Sequence, residues 1–219
     1  MSELHTSISK VKSILTSLDK LYPDAECSLN YGDPLQLLVA TILSAQCTDE
    51  RVNIVTPELF RKYPSARDYS TAPIEEIEQY IRSTGFYHSK AKSIKESCRV
   101  IDERFDGQVP RELDTLVALP GIGRKTANVV LGNAFGIPGI VVDTHVARVT
   151  ARLGLTTHKN PEKIEQELMS IIPKEKWTKF CHQVIQHGRK ICVARKPKCS
   201  VCPLLPDCIY GTSNSTAKA

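Results

Sequence analysis

Lys125 sits in an unexpected place for a cation. The stretch from Leu119 to Leu131 reads LPGIGRKTANVVL, a Pro- and Gly-rich turn running into what reads as the first turn of a helix, with Arg124 and Lys125 at its start. The N-terminal end of a helix already carries partial positive charge. That placement suits one kind of chemistry. A lysine amine adds to an electrophilic carbon and forms an imine only when neutral. An ordinary lysine, with a pKa of about 10.4, has little neutral amine at pH 7. Desolvation and the positive end of a helix both favour the free amine. The plainer role for Lys125 is a solvated phosphate contact. Further along, Asp143 in VVDTHVARV stands where another helix begins, a natural N-cap.

Three motifs compete for the turn ahead of Lys125. A phosphate-binding P-loop needs Gly directly before the Lys, and Arg124 occupies that position. It also needs a strand upstream, where RELDTLVAL reads as helix. The dinucleotide fingerprint fails because Gly121-x-Gly123 is followed by Thr126 rather than a third Gly. An ordinary helix–turn–helix corner and a helix-hairpin-helix remain. In the latter, a hairpin at about residues 119–124 folds Ile122 back between the helices. Gly121 and Gly123 then let a ligand approach the backbone closely, and the new helix start offers N–H groups to a phosphate. Such contacts grip DNA without reading its sequence.

A second group of chemically capable residues crowds the C-terminal region, with the spacing Cys192-x6-Cys199-x2-Cys202-x5-Cys208. In a reducing cell this density points to metal rather than disulfides. Four thiolates suit structural zinc or an iron–sulfur cluster. Most zinc sites use two short C-x2-C knuckles, and this chain has one. The other cysteines, Cys27, Cys47, Cys98 and Cys181, lie in apolar segments and read as small buried residues. From Lys174 to Lys198 there are eight Lys or Arg and one acid, Glu175, against a net charge of only +5. A charge run of this kind is a solvated face or an anion-binding surface.

The elements that must position these residues are helical. Asp33-Pro34, Thr48 with Asp49, Ala72-Pro73, Ser89, Pro110, Asp143 and Asn160-Pro161 are start signals, and Gly85, Gly107 and Gly154 are stops. Apolar residues recur at three-to-four spacing between them. About ten helices with short connections are expected, so the fold class is all-α. Ile8, Val11, Ile14, Leu15, Leu18 and Leu21 make the N-terminal segment amphipathic rather than a signal peptide. No run of 18 apolar residues exists, so no membrane span is expected. Gly136-Ile137-Pro138-Gly139 is the candidate domain boundary, and the residues after Cys208 read as a polar, mobile tail. Asn214-Ser215-Thr216 fits a glycosylation pattern, a chance match in a chain without a secretion signal.

The set LLVATILSAQCTDERVN, GFYHSKA, LPGIGRKTANVVL, VDTHVARV and the terminal cysteines, taken together, resembles the helix-hairpin-helix DNA glycosylases, and among them the endonuclease III family. The resemblance covers nearly the entire chain. It implies two helical domains, residues 27–137 with the hairpin, and residues 1–26 plus 138–219 with the catalytic Asp and a [4Fe-4S] cluster, with the active site in the cleft between them. It implies that Lys125 is the nucleophile and that Asp143 assists it. Because a nearby carboxylate favours ammonium, the role assigned to Asp143 is to stabilise positive charge developing on the sugar and to relay a proton. It makes Cys192, Cys199, Cys202 and Cys208 the cluster ligands and turns Arg195, Lys196 and Lys198 into phosphate contacts beside Arg124. Gln46 and Phe86 match two loops that fill the gap left by a flipped base. The family pattern has Leu where this chain has Phe86, which as a ring either wedges between bases or sits in the core. Ser44 and Asp49 match the base pocket.

The activity implied is removal of oxidised pyrimidines from damaged double-stranded DNA, with strand cleavage at the resulting abasic site. A monomer in the cytoplasm, associated with the nucleoid and without membrane contact, is the expected setting. Two rivals remain. Adenine-mismatch glycosylases carry a Glu in the segment matching Leu38 to Gln46, which has no acid here, lack the lysine, and usually add a C-terminal domain. A non-catalytic DNA-binding protein would use the hairpin and the basic loop alone.

Overall fold

The computed structural model describes residues 2–216, with side chains described for residues 8–213. Among the described residues there are helices and turns but no strand. The helices are α1 (Ser2–Leu21), α2 (Pro34–Leu43), α3 (Asp49–Lys62), α4 (Ala66–Thr71), α5 (Ile74–Ile81), α6 (Tyr87–Phe105), α7 (Leu113–Val117), α8 (Arg124–Ala134), α9 (Thr144–Leu153), α10 (Pro161–Ile171), α11 (Trp177–Lys190) and α12 (Ile209–Thr216). The chain divides into two compact units. One is continuous, Cys27–Ile137, and the other joins the chain before Cys27 to the chain from Pro138 onward.

The continuous unit is built around α2. Asp33 caps it by accepting from the Gln36 N–H at 2.9 Å, and Pro34 supplies a preset φ at its first position. Leu35, Leu37, Leu38, Val39, Ala40, Ile42 and Leu43 are all buried, so α2 is covered on every side, the mark of a central helix. It packs against α3, α6 and α8, and α6 packs in turn on α4 and α5. Fully burying each large aliphatic side chain there stabilises the unit by roughly 1.5–3 kcal/mol.

The second unit packs α11 against α1 and α9, with α10 on α1 and α12 on α9. Its core includes Ile14, Leu18, Val146, Val149, Leu153, Leu168, Phe180 and Val184. Asp19 on α1 accepts from Lys176 Nζ at 2.7 Å and from Gln183 Nε2 at 2.9 Å, which ties the N-terminal helix to residues far along the chain.

Several elements depart from the sequence expectation. The start and stop signals above do not include α4, although Ser65 and Asp68 form a complete capping box ahead of it. α6 begins at Tyr87, not after Ser89, because the turn at Gly85 and Phe86 closes earlier; Ser89 Oγ donates to the Phe86 carbonyl. α7 is only Leu113–Val117, shorter than the RELDTLVAL pattern, and Glu112 ahead of it gives no side-chain cap. Cys98 and Cys181 are buried as expected, but Cys27 and Cys47 are only partly so. The segment after Cys208 is helix α12 rather than a mobile tail. Tyr210 stacks under the Arg152 guanidinium, 4.7 Å from ring centre to charge, and Gly211 N–H donates to Cys208 Sγ. The side chains of Asn214-Ser215-Thr216 and all of residues 217–219 lie outside the described residues.

Candidate functional site

In the continuous unit, the hairpin Pro120–Gly123 connects α7 to α8, and Ile122 is buried in the unit's core. The two glycines are there for different reasons. Gly121 has φ +74°, and a Cβ on it would lie 2.3 Å from Ser93 Oγ and 3.3 Å from the Ser93 Cα. Backbone geometry and packing on α6 both require Gly. Gly123 has ordinary extended backbone, φ −91° and ψ 167°, and a Cβ there would meet nothing within 4 Å. Nothing inside the protein demands Gly at that position, but close approach of a second molecule would.

Gly123 is also the N-cap of α8. It brings no side-chain oxygen to the first-turn N–H groups, and that turn holds Arg124 and Lys125 with no acid. The end is therefore electropositive and suited to an anion. Lys125 itself is exposed: α8 turns Ala127, Asn128, Val130 and Leu131 inward and leaves Lys125 off that face. The desolvation expected around its amine is not provided by the protein alone.

The two loops expected to meet the duplex belong to this same unit. Gln46 has φ 53° and Phe86 has φ 49°, both left-handed, a conformation costing non-Gly residues roughly 1–2 kcal/mol. Phe86 is 64% exposed, so it is not a core aromatic. Gln46 and Phe86 line one cavity of about 270 Å³, with Thr41, Ser93, Gly121 and Thr126 among the other walls. Ser44 and Asp49 do not line it. Ser44 is half-buried and its Oγ donates to the Thr41 carbonyl, and half-buried Asp49 is the first residue of α3.

Asp143 lies in the other unit. It is half-buried and caps α9, its Oδ1 accepting from the Val146 N–H at 2.7 Å. The following residues lock α9 to the cysteine loop. Arg148 Nη2 donates to the Gly188 carbonyl at 3.0 Å and its Nε to the Cys192 carbonyl at 3.2 Å. One turn on, Arg152 donates to the Val193 and Ala194 carbonyls at 2.8 and 2.9 Å and to Cys192 Sγ at 3.3 Å. Sequence reasoning missed both arginines. The signal was their spacing, four apart on one face of α9. His145 beside Asp143 is held toward its neutral form, chiefly by burial.

Cys192, Cys199, Cys202 and Cys208 line a single cavity together with Arg152 and His187. Their surroundings fit a thiolate-bound cluster. Arg152 Nη1 and the Gly211 N–H donate to sulfur, as hydrogen-bond donors around metal-bound thiolates do. His187 is buried, with Nε2 3.5 Å from Cys202 Sγ and Nδ1 3.1 Å from the Tyr22 hydroxyl. Burial pushes His187 down to about 4, so its ring is neutral. With Cys202 a thiolate, Nε2–H donates to sulfur and the Tyr22 O–H donates to Nδ1. All four thiols surround one space, as four thiolate ligands of a single metal group would. Arg195, Lys196 and Lys198 are exposed on the loop between the first two cysteines, with Lys196 at φ 52°. Other cations of the basic run are engaged within the unit: Lys176 with Asp19, and Lys190 over the Tyr22 ring at 5.5 Å.

The chain is similar to known proteins over most of its length. Residues 39–174 match the model of the HhH-GPD superfamily base excision DNA repair proteins, and residues 192–208 match the iron–sulfur binding domain of endonuclease III. Endonuclease III of Synechocystis sp. is 55% identical over 200 residues, 91% of each chain. A non-covalent endonuclease III–DNA complex is similar at a TM-score of 0.90 and 46% identity, covering 95% of this chain and 98% of that one. A trapped endonuclease III–DNA covalent intermediate gives 0.90 and 47%, covering 94% and 98%.

Proposed function

Because the chain belongs to the HhH-GPD superfamily of base excision DNA repair proteins, and within it to the endonuclease III family, we propose a division of labour among the residues described above. The protein is a DNA-binding base-excision glycosylase with AP lyase activity and an iron–sulfur cofactor. Its substrate in this proposal is double-stranded DNA carrying an oxidised pyrimidine or an abasic site, bound by one copy of the chain at the nucleoid. None of the helices among the described residues is long and apolar enough to cross a membrane.

The damaged nucleotide leaves the stack, and Gln46 and Phe86 fill the space. The Gly121–Gly123 hairpin, Arg124 and the exposed loop cations Arg195, Lys196 and Lys198 hold phosphates. Ser44 and Asp49 contact the extruded base. Lys125 Nζ attacks C1′, and the glycosidic bond breaks as the base departs with the bonding pair. Asp143 stabilises the positive charge developing on the sugar and relays the amine proton. Ring opening leaves an imine between Nζ and C1′. Loss of a C2′ proton then forms the C2′=C3′ double bond and expels the 3′ phosphate, which cleaves the strand. Water releases Lys125 from the imine. Bound to Cys192, Cys199, Cys202 and Cys208, the cluster supplies four metal–thiolate bonds that fix the basic loop.

The observation that supports this assignment best is the start of α8: an open glycine cap, no acid in the first turn, and an exposed lysine two residues beyond the last glycine. Lys125→Gln is expected to lower strand cleavage at an abasic site by at least about 10³-fold and to abolish borohydride cross-linking to the same DNA. Cross-linking that survives in the variant means another amine is the nucleophile.

A further inference from the structure

Lys90 is the buried cation that the proposed mechanism does not use. It lies one turn into α6 and is 5% exposed. Its ammonium donates to two backbone carbonyls, Leu43 at 2.8 Å and Thr84 at 2.8 Å. Both carbonyls close a helical segment. Leu43 is the last residue of α2, and Thr84 the last of the short 3-10 turn Arg82–Thr84. Helix C-termini present carbonyls without partners and partial negative charge, and a buried ammonium answers both.

The identity of the two segments gives the contact its meaning. Leu43 stands three residues ahead of Gln46, and Thr84 two ahead of Phe86. Gln46 and Phe86 are the two left-handed residues other than glycine on the cavity rim, and Lys90 is part of that cavity's wall. The Lys90 N–H donates to the Phe86 carbonyl at 3.1 Å, so the same residue anchors one loop by its main chain and both by its side chain. Burial lowers the tendency of Lys90 to hold its proton, and a lysine is placed there at a cost that Met or Leu would avoid. An apolar side chain would fill the space, but it would not join two separate chain turns at one atom.

We propose that Lys90 is a positioning residue that clamps the Gln46 loop and the Phe86 loop at a fixed separation, so that both side chains enter the duplex together. The inference rests on the proposed role of Gln46 and Phe86. It makes base extrusion from a paired duplex depend on Lys90, while chemistry on DNA with no stack to fill does not.

The test compares two substrates in single-turnover borohydride trapping: a duplex with a paired thymine glycol, and a single-stranded oligonucleotide with an abasic site. The readout is the ratio of the two rates. Lys90→Met is expected to lower that ratio at least tenfold, and Lys90→Gln, which keeps an N–H donor group on a shorter, uncharged side chain, by a smaller factor. The double variant Gln46→Ala, Phe86→Ala should lower it as well, and adding Lys90→Met to that pair should lower it no further. Thermal melting by circular dichroism shows whether each variant is folded at the assay temperature, and Lys90→Gln carries the comparison if Lys90→Met is not. A ratio unchanged in the Lys90 variants, with the loop double variant impaired, overturns the clamp alone. An unchanged ratio in the loop double variant overturns the loop reading and the clamp with it. Full additivity of the Lys90 and loop effects overturns the clamp, because the lysine would then act elsewhere.

Discussion

The two units are held together in different ways. Cys27–Ile137 is continuous, and one apolar cluster from Leu29 to Leu131 runs through it. Its site features, the hairpin and the two left-handed residues, ride on that cluster's surface. The other unit is assembled from the two ends of the chain. It has an apolar core of its own around Leu18, Val149 and Phe180, and adds to it the ties of Asp19 with Lys176 and Gln183, those of Arg148 and Arg152, and a cysteine segment whose only regular structure before α12 is two 3-10 turns. Hydrophobic burial is local and needs no third party. A segment with little apolar burial of its own gains stability from a bound metal, and metal binding then becomes folding free energy. The proposed nucleophile, Lys125, therefore stands on a unit with a continuous apolar cluster, while Asp143 stands on a helix hydrogen-bonded to the cysteine segment.

The widest separation between the two units should follow loss of the cluster. Cys199→Ala is expected to destabilise the discontinuous unit by on the order of 5 kcal/mol or more. Peptide-resolved hydrogen exchange should show protection lost in α9, α11 and α12 and retained in α2, α6 and α8. Equal loss in both units would break the contrast, because it would mean that the apolar unit also depends on the cofactor.

Within the continuous unit, the two hairpin glycines sharpen the same distinction between scaffold and site. Gly121→Ala combines a positive φ with a Cβ 2.3 Å from Ser93 Oγ, so it should cost about 1–3 kcal/mol of stability. Gly123→Ala meets nothing in the protein and should cost only a few tenths to about 0.5 kcal/mol through the weaker cap, yet it should weaken DNA binding. Chemical denaturation paired with a binding titration separates the two. Equal stability losses would mean that Gly123 serves the fold, not the ligand.

How much was legible in the sequence follows from the same division. Caps at Asp33, Thr48, Asp143 and Asn160 are local hydrogen bonds, and each is made where its residue type and position suggested. The cysteine spacing was readable because metal ligation leaves a sequence pattern. Lys90 was not, since a lysine one turn into an amphipathic helix ordinarily points to water, and only the tertiary placement of Leu43 and Thr84 makes it a clamp. Arg148 and Arg152 were harder to read for a similar reason: their spacing marks one face of α9, but it does not reveal that their partners are main-chain carbonyls about forty residues away. The exposure of Lys125 and Phe86 was equally outside the sequence, because the face a helix start presents is fixed by what packs beneath it.

The smallest effect probes the polar ties of the discontinuous unit. The Lys176 ammonium bonded to Asp19, with Gln183 as a second donor, holds the Asp19 carboxyl below its ordinary value. A carboxyl depressed in the folded state adds stability above its unfolded value, near 3.8, and loses that contribution as pH falls through the folded value. Both side chains are more than a third exposed, at 41% for Lys176 and 36% for Asp19, so solvent screens the pair. Asp19→Asn should therefore cost only about 0.5 kcal/mol at pH 7, less in 1 M salt, and nothing once the pH is below the folded value. Denaturant melts of both proteins from pH 7 to pH 3 test the sign. A difference that grows on acidification would assign the loss to packing of α1 instead of charge. Hydrogen exchange on the same variant should change in α1 and α11 alone. A matching change in α2 or α8 would mean that the two units share stability that their separate construction does not explain.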